Sequence, residues 1–227
     1  MSRSLNINQI YEGDCLEVMK RIPGESLDMI LCDLPYGMTD CAWDNAIPFE
    51  PLWGQYRRII KPRAAIVLTA IQPFTSKLIM SNLAMFKYEW IWVKGGRLAG
   101  FLNAKKRPLT QHESVLIFSV GSPVYYPQKS NGSPYQRINP GRKRTNKGAY
   151  GDMGDVDCIN LDGDRYPTSC LNFNRVERAL HPTQKPVSLF EYLIKTYTNE
   201  GDVVLDNCIG SGTTAIAAIN TNRQWIG

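Results

Sequence analysis

Within the run Asp33-Leu34-Pro35-Tyr36 a carboxylate, a proline-stiffened backbone and an aromatic ring are presented on one short stretch. These types at this spacing suit a planar nitrogenous base. Its ring can stack on Tyr36, and an exocyclic amine can donate to the Asp33 carboxylate and to the Leu34 carbonyl. Such an amine is a poor nucleophile because its lone pair is delocalised into the ring, and the two hydrogen bonds localise that pair for attack. A base inside a duplex cannot enter such a pocket, so it has to be extruded, at a cost on the order of a few kcal/mol partly recovered by stacking.

A second stretch, Asp206-Asn207-Cys208-Ile209-Gly210-Ser211-Gly212-Thr213-Thr214, follows the apolar run Val203-Val204-Leu205. Gly210-Ser211-Gly212 between a strand and a helix lets backbone approach a ligand closely, since glycine removes Cβ from the contact surface. A flat, nucleotide-like cofactor fits there. The stretch lacks the lysine of a P-loop, and Ile209 breaks the G-x-S-x-G of a hydrolase elbow. It loosely matches the G-x-G-x-x-A of a dinucleotide-binding turn, which by itself leaves a nicotinamide enzyme open.

Both stretches need strands to deliver them. Leu27-Asp28-Met29-Ile30-Leu31-Cys32 reads as a buried parallel strand ending at Asp33, and ligands of open α/β sheets sit at such carboxyl ends. Upstream, Ile10-Tyr11 reads as a short strand ending at Gly13-Asp14, followed by a helix from Leu16 to Ile22 closed by Pro23-Gly24. Leu52, Trp53, Tyr56, Ile59 and Ile60 recur at helical spacing between Phe49 and Ile60, with Pro62 expected to stop that helix before a strand Ala65–Thr69. The alternation signals βαβ units and a parallel sheet.

Strands at Tyr88–Val93 and Ser114–Phe118 flank a loop containing Gly95-Gly96-Arg97 and Lys105-Lys106-Arg107, of the kind that sits over a site. From Ser122 to Arg178 periodicity disappears, and Arg137, Arg142, Lys143, Arg144 and Lys147 form a basic cluster near Tyr125, Tyr126 and Tyr135. That combination suits phosphate contact and base stacking, against the plainer reading of a solvated loop. A helix through Leu189, Tyr192, Leu193 and Tyr197 resumes regular structure.

With 227 residues the chain can bury one full core, and 26 Lys+Arg against 21 Asp+Glu give +5, a mild excess that suits a polyanionic partner without requiring one. Cys15, Cys32, Cys41, Cys158, Cys170 and Cys208 form no C-x-x-C pair, and only His112 and His181 could join them, so no metal site is expected. No secretory signal or bilayer-length apolar run is visible, and a cytoplasmic protein with no membrane partner is expected.

The order of the motifs carries a family resemblance. Asp33-Leu34-Pro35-Tyr36, then the insertion, then His181-Pro182-Thr183-Gln184-Lys185-Pro186, then Asp206 to Thr214 resembles the permuted, beta-type DNA amino-methyltransferases, with their D-P-P-Y, H-P-T-Q-K-P and D-P-F-x-G-S-G-T-T motifs. The resemblance implies an α/β, Rossmann-like class I methyltransferase fold with permuted strand order. It divides the chain into a catalytic half (1–121), a target-recognition insertion (122–178) and a cofactor-binding half (179–227). It also implies S-adenosylmethionine as cofactor and double-stranded DNA with a flipped base as substrate, in a bacterial or phage restriction-modification setting; oligomeric state is not legible, and a dimer stays open.

By the same resemblance Asp33, Leu34, Pro35 and Tyr36 activate and hold the base. Asp14, Thr183, Gln184, Lys185, Asp206, Gly210, Ser211, Gly212 and Thr213 line the cofactor pocket. Transfer is then a direct displacement with no cysteine nucleophile. Plainer readings stand beside several of these: Asp14 as a turn residue, Lys185 as a solvated helix-start lysine, His112 and His181 as structural histidines. Lys94 reads as a surface charge.

Leu34 stands where the family has proline, and Asn207-Cys208 where it has Pro-Phe, which removes a ring over the cofactor and predicts weaker binding. The acidic residue that bonds the cofactor ribose is not found after Gln224-Trp225-Ile226-Gly227, nor is the following helix, so a truncated chain or a completing partner is expected. Asp33 favours adenine over cytosine, since cytosine-amino relatives more often carry S-P-P-Y. Cytosine, RNA or a protein amide stay open, as does a catalytically silent DNA-binding remnant.

Overall fold

The computed structural model describes residues 5–38, 41, 44–96, 98–137, 158–177 and 183–227. Two compact units arise, Met1–Tyr126 with Ser169–Gly227, and Pro127–Thr168. Arg142, Lys143, Arg144 and Lys147 of the basic cluster lie outside the described residues, as do Arg97, His181 and Pro182.

The larger unit begins with α1 (Cys15–Met19), β1 (Leu27–Cys32), α2 (Phe49–Ile59), β2 (Ile60–Ala70), α3 (Phe74–Ser81), β3 (Phe86–Val93) and β4 (His112–Phe118). In the smaller unit β5 (Ser130–Asn131) pairs with β8 (Asp164–Arg165), and β6 (Tyr135–Arg137) with β7 (Cys158–Asn160), all antiparallel. The chain returns through β9 (Cys170–Asn172), α4 (Val187–Tyr197), β10 (Val203–Leu205), α5 (Thr213–Asn220) and β11 (Gln224–Ile226).

Seven strands form one sheet in the order β11-β10-β1-β2-β4-β3-β9. β10, β1 and β2 run parallel at its centre, which places the ends of β1 and β10, and hence Asp33 and Asp206, side by side at one edge. Because this part of the sheet is covered on both faces, the stretches Met29–Cys32, Ala64–Leu68 and Val203–Leu205 are apolar throughout rather than alternating. Leu27, Ile30 and Cys32 face a core with Trp53, Tyr56, Leu78 and Phe118, while Met29 and Leu31 face Leu189, Phe190, Leu193 and Ala217. α2 and α3 therefore cover one face, α4 and α5 the other.

The sheet is mixed, not uniformly parallel: β4 runs antiparallel to both β2 and β3. Pro62 does not stop α2, which ends at Ile59; it lies inside β2 where pairing with β1 jumps from Leu27↔Ile60 to Met29↔Ala65. A proline, which has no N–H for the ladder, is tolerated in such an irregularity. Ile10-Tyr11 belongs to an extended segment with a single bridge, Gln9↔Ile226, against β11. α3 escaped sequence reading because Pro73, Thr75, Ser76 and Ser81 give it the composition of a loop, although Phe74 and Leu78 are buried.

Candidate active site

Asp33 leaves β1 into a cleft of about 530 Å³ whose wall includes Leu34, Pro35 and Tyr36. The Asp33 carboxylate is the hub of a polar cluster. Tyr36 Oη donates to Asp33 Oδ1 at 2.7 Å, the Thr69 hydroxyl at the end of β2 donates to the same oxygen, and Lys185 Nζ lies 2.5 Å from Oδ2. A carboxylate offers about four acceptor sites. The described contacts fill three and leave one on Oδ2, on the residue whose side chain is a quarter exposed.

Behind Asp33 the charges continue inward. Lys185 also stands 3.5 Å from Glu113 Oε2, and Glu113 Oε1 is bonded by Lys94. Lys94 and Lys185 are 5% and 6% exposed, so neither is the solvated lysine that sequence reading allowed. Burial pulls the Lys185 ammonium down, but Asp33 and Glu113 outweigh it and its pKa rises. For Lys94 burial wins over Glu113, with Arg175 and Lys185 adding repulsion, and the pKa falls. Glu113 Oε2 is buried with no hydrogen-bond partner of its own, though it borders the same cleft.

The loop after Tyr36 is pinned by Asp44, 6% exposed, whose carboxylate accepts from the Gly37 and Met38 N–H groups at 2.9 Å each. Gly37 has φ +64, a left-handed conformation that favours glycine. The Tyr36 ring packs against Phe74 with centroids 5.0 Å apart.

On the opposite wall, Asp206 at the end of β10 is 3% exposed and accepts from Cys208 N at 3.0 Å and from the Thr214 hydroxyl. Burial pushes its pKa up to about 6, against the hydrogen bonds from Thr214 and Cys208 that lower it. Gly210 and Gly212 take φ +48 and +83, which turns the chain sharply into α5 and brings Ser211 and Thr213 to the cleft. Thr213 Oγ1 bonds the Lys185 carbonyl at 3.3 Å, joining this turn to the Thr183-Gln184-Lys185 stretch, all three of which line the cleft. Burial pushes the nearby Cys32 thiol up to about 12, and Cys208, which borders the cleft, is raised too.

Eleven of the thirteen sequence-chosen residues thus border one cleft: Asp33 to Tyr36 on one side, Asp206, Gly210, Ser211 and Thr213 on the other, Thr183 to Lys185 between. Gly212 stands behind the turn it forms. Asp14 is not among the lining residues; its Oδ1 caps α1, accepting from Leu16 N at 2.9 Å and Glu17 N at 3.1 Å. Sequence reasoning missed Thr69, Glu113 and Asp44. Glu113 carried a signal, being an acid at the head of an apolar strand; Asp44 carried none. Among the described residues no His, Cys, Asp and Glu group could hold a metal ion, and no helix is long and apolar enough to cross a membrane.

Comparison with known proteins bears on this cleft. The chain is 28% identical over 247 residues to the type II methyltransferase M.BglII from Bacillus subtilis, covering 98% of this chain and 65% of that protein. The chain therefore spans just under two thirds of that relative. Among solved structures, the cytosine-N4-specific PvuII DNA methyltransferase superposes with TM-score 0.66 at 17% identity, over 99% of this chain and 82% of that one. M1.HpyAVI in complex with SAM superposes with TM-score 0.62 at 23% identity, over 96% and 92%. These likenesses establish the fold as that of class I methyltransferases. The DNA methylase profile for N6 and N4 amino-methylating enzymes matches residues 27–227, and the chain belongs to that family.

Proposed function

We propose that this protein transfers a methyl group from S-adenosylmethionine to the exocyclic amino nitrogen of a flipped base in double-stranded DNA, with adenine as the base. The observation that carries this reading is the convergence of Asp33, Tyr36 and the Asp206-to-Thr213 turn on one cleft. Its chemistry fits the cofactor: a buried carboxylate, Asp206, sits where a cationic ligand would relieve the cost of its ionisation, and the α5 N-terminus offers N–H groups to an anionic one. When bound, S-adenosylmethionine supplies an electrophilic methyl group on a positive sulfonium.

The chain's own residues do the rest. Tyr36, its hydroxyl fixed on Asp33 and its ring backed by Phe74, offers a platform for the base. The acceptor site left on Asp33 Oδ2 takes one amine hydrogen and the Leu34 carbonyl the other, localising the nitrogen lone pair toward the methyl group. On accepting the methyl group the amino nitrogen would shed one proton toward Asp33, whose carboxylate Lys185 holds in place. Asp206, Ser211, Gly210 and Thr213, with Thr183 and Gln184, bind the cofactor. The segment 122–178, with its Arg and Lys cluster, reads the target.

Adenine is preferred because Asp33 opens the loop where cytosine-amino relatives more often carry serine. Nucleoside mass analysis of unmethylated bacterial DNA, after incubation with the protein and S-adenosylmethionine, tests both levels. Methyladenine is expected. Methylcytosine would keep the mechanism and reverse the base, and no methylated nucleoside from folded, cofactor-binding protein would favour a silent DNA-binding remnant.

A further inference from the structure

The β3–β4 connection, residues 94–111, was expected to sit over a site, yet nothing in the transfer mechanism uses it. Its placement follows from strand direction. β2 and β3 both run antiparallel to β4, so β3 points the same way as β1 and β2, and its connection leaves the sheet at the edge where Asp33 emerges. At its root Trp92 and Glu113 pair across the strands, and both line the cleft.

The described residues of the connection are folded. Lys94 N donates to Gln111 O at 2.9 Å, and Ala99 and Thr110 exchange both backbone bonds at 2.8 and 2.9 Å. Gly100, at φ +84, then opens a 3-10 turn, Phe101–Asn103, whose Asn103 carbonyl accepts from Lys106 and Arg107. That turn holds two apolar side chains out: Phe101 is 74% and Leu102 86% exposed. Leaving two such side chains in water forgoes the gain of burying them, so an ordered turn that presents both together marks a surface that is covered in use. Lys105, Lys106 and Arg107 are exposed directly beside them, and no Asp or Glu occurs between Lys94 and His112.

We propose that this tip is a wedge for duplex DNA: Lys105, Lys106 and Arg107 hold phosphates while Phe101 and Leu102 enter the base stack beside the nucleotide that moves into the cleft. The proposal rests on the DNA methyl-transfer reading above. DNA is the partner that supplies both a polyanion and apolar faces between which side chains insert, and the wedge offsets the unstacking that extrusion demands. Continuity of the hairpin root with the cleft wall puts the wedge next to the base it displaces.

Two variants of the full chain separate the parts. Lys105→Ala with Lys106→Ala and Arg107→Ala should flatten the salt dependence of binding to unmethylated duplex DNA, lowering the log–log slope by about 2 to 3. Phe101→Ser with Leu102→Ser should leave that slope and S-adenosylmethionine binding unchanged. It should nevertheless cut single-turnover methyl incorporation into the same DNA at least tenfold and abolish the permanganate reactivity that bound protein induces at unstacked thymines. An unchanged slope in the first variant, or full incorporation with undiminished thymine reactivity in the second, overturns the wedge. Loss of binding to anionic lipid vesicles, with DNA binding intact, would assign the tip to a membrane surface instead. If the wild-type chain binds cofactor but incorporates no methyl groups, the transfer reading itself fails, whatever the slopes show.

Discussion

The two walls of the cleft are built in opposite ways. On the Asp33 side, charges are supplied in pairs: Lys185 answers Asp33 and Glu113, Lys94 answers Glu113, and Thr69 and Tyr36 fill the acceptor sites of Asp33 Oδ1. On the Asp206 side the wall is mostly backbone turned by glycine, with one buried carboxylate that has no cation beside it among the described contacts and whose pKa is pushed up to about 6. The first wall is already neutralised and rigid, which suits a neutral base whose lone pair has to be aimed. The second is electrostatically unfinished, which suits a ligand that brings a positive charge.

Changes that unbalance the first wall should cost most. Glu113→Gln leaves the buried Lys94 without its carboxylate and Lys185 with Asp33 alone, and breaking a buried pair in this way should lower stability by about 3 kcal/mol, read as a fall in Tm. Asp44→Ala, which frees the Gly37 and Met38 N–H groups, should cost about 2 kcal/mol and slow transfer more than it weakens cofactor binding. Transfer and cofactor affinity falling in step would show that Asp44 does not act through the Tyr36 loop.

The second wall should respond to pH. Asp206 ionises at about 6, above the ordinary carboxylate value of 3.8, so the folded apo-protein binds a proton there that the unfolded chain has already lost, and its contribution to stability falls as pH rises through that interval. A cationic cofactor prefers the ionised form. S-adenosylmethionine affinity should therefore rise about tenfold between pH 5 and pH 7, and Asp206→Asn should be weaker and flat across that range. A steep profile retained by the variant would place the titrating group elsewhere. The smallest effect belongs to Asp14, outside both walls: Asp14→Ala should cost about 1 kcal/mol of stability as a lost helix cap and change cofactor affinity less than twofold by calorimetry.

Much of this was legible because burial and chain direction write themselves into sequence. The ends of β1, Met29 to Cys32, and β10 appear as apolar runs, and each is followed by the acid that reaches the cleft, so Asp33 and Asp206 could be picked without a structure. Tyr36 and Lys185, which bond Asp33, were picked with them, but the rest of the network was not. Thr69 and Glu113 come from strands, and Lys94 from a strand end, far away in sequence, and whether a lysine is solvated or paired depends on what the sheet order lays beside it. The same limit explains the antiparallel placement of β4: two apolar strands in succession specify that they pair with something, not in which direction.

The central claim is that Asp33 acts on the base and not on the cofactor. The direct measurement is single-turnover transfer of labelled methyl groups from S-adenosylmethionine to unmethylated DNA by Asp33→Asn, with cofactor affinity determined on the same preparation. The account predicts transfer lowered by at least about a thousandfold with cofactor affinity within a few-fold of wild type. Retained transfer, or a parallel loss of cofactor binding that accounts for the whole defect, would contradict it.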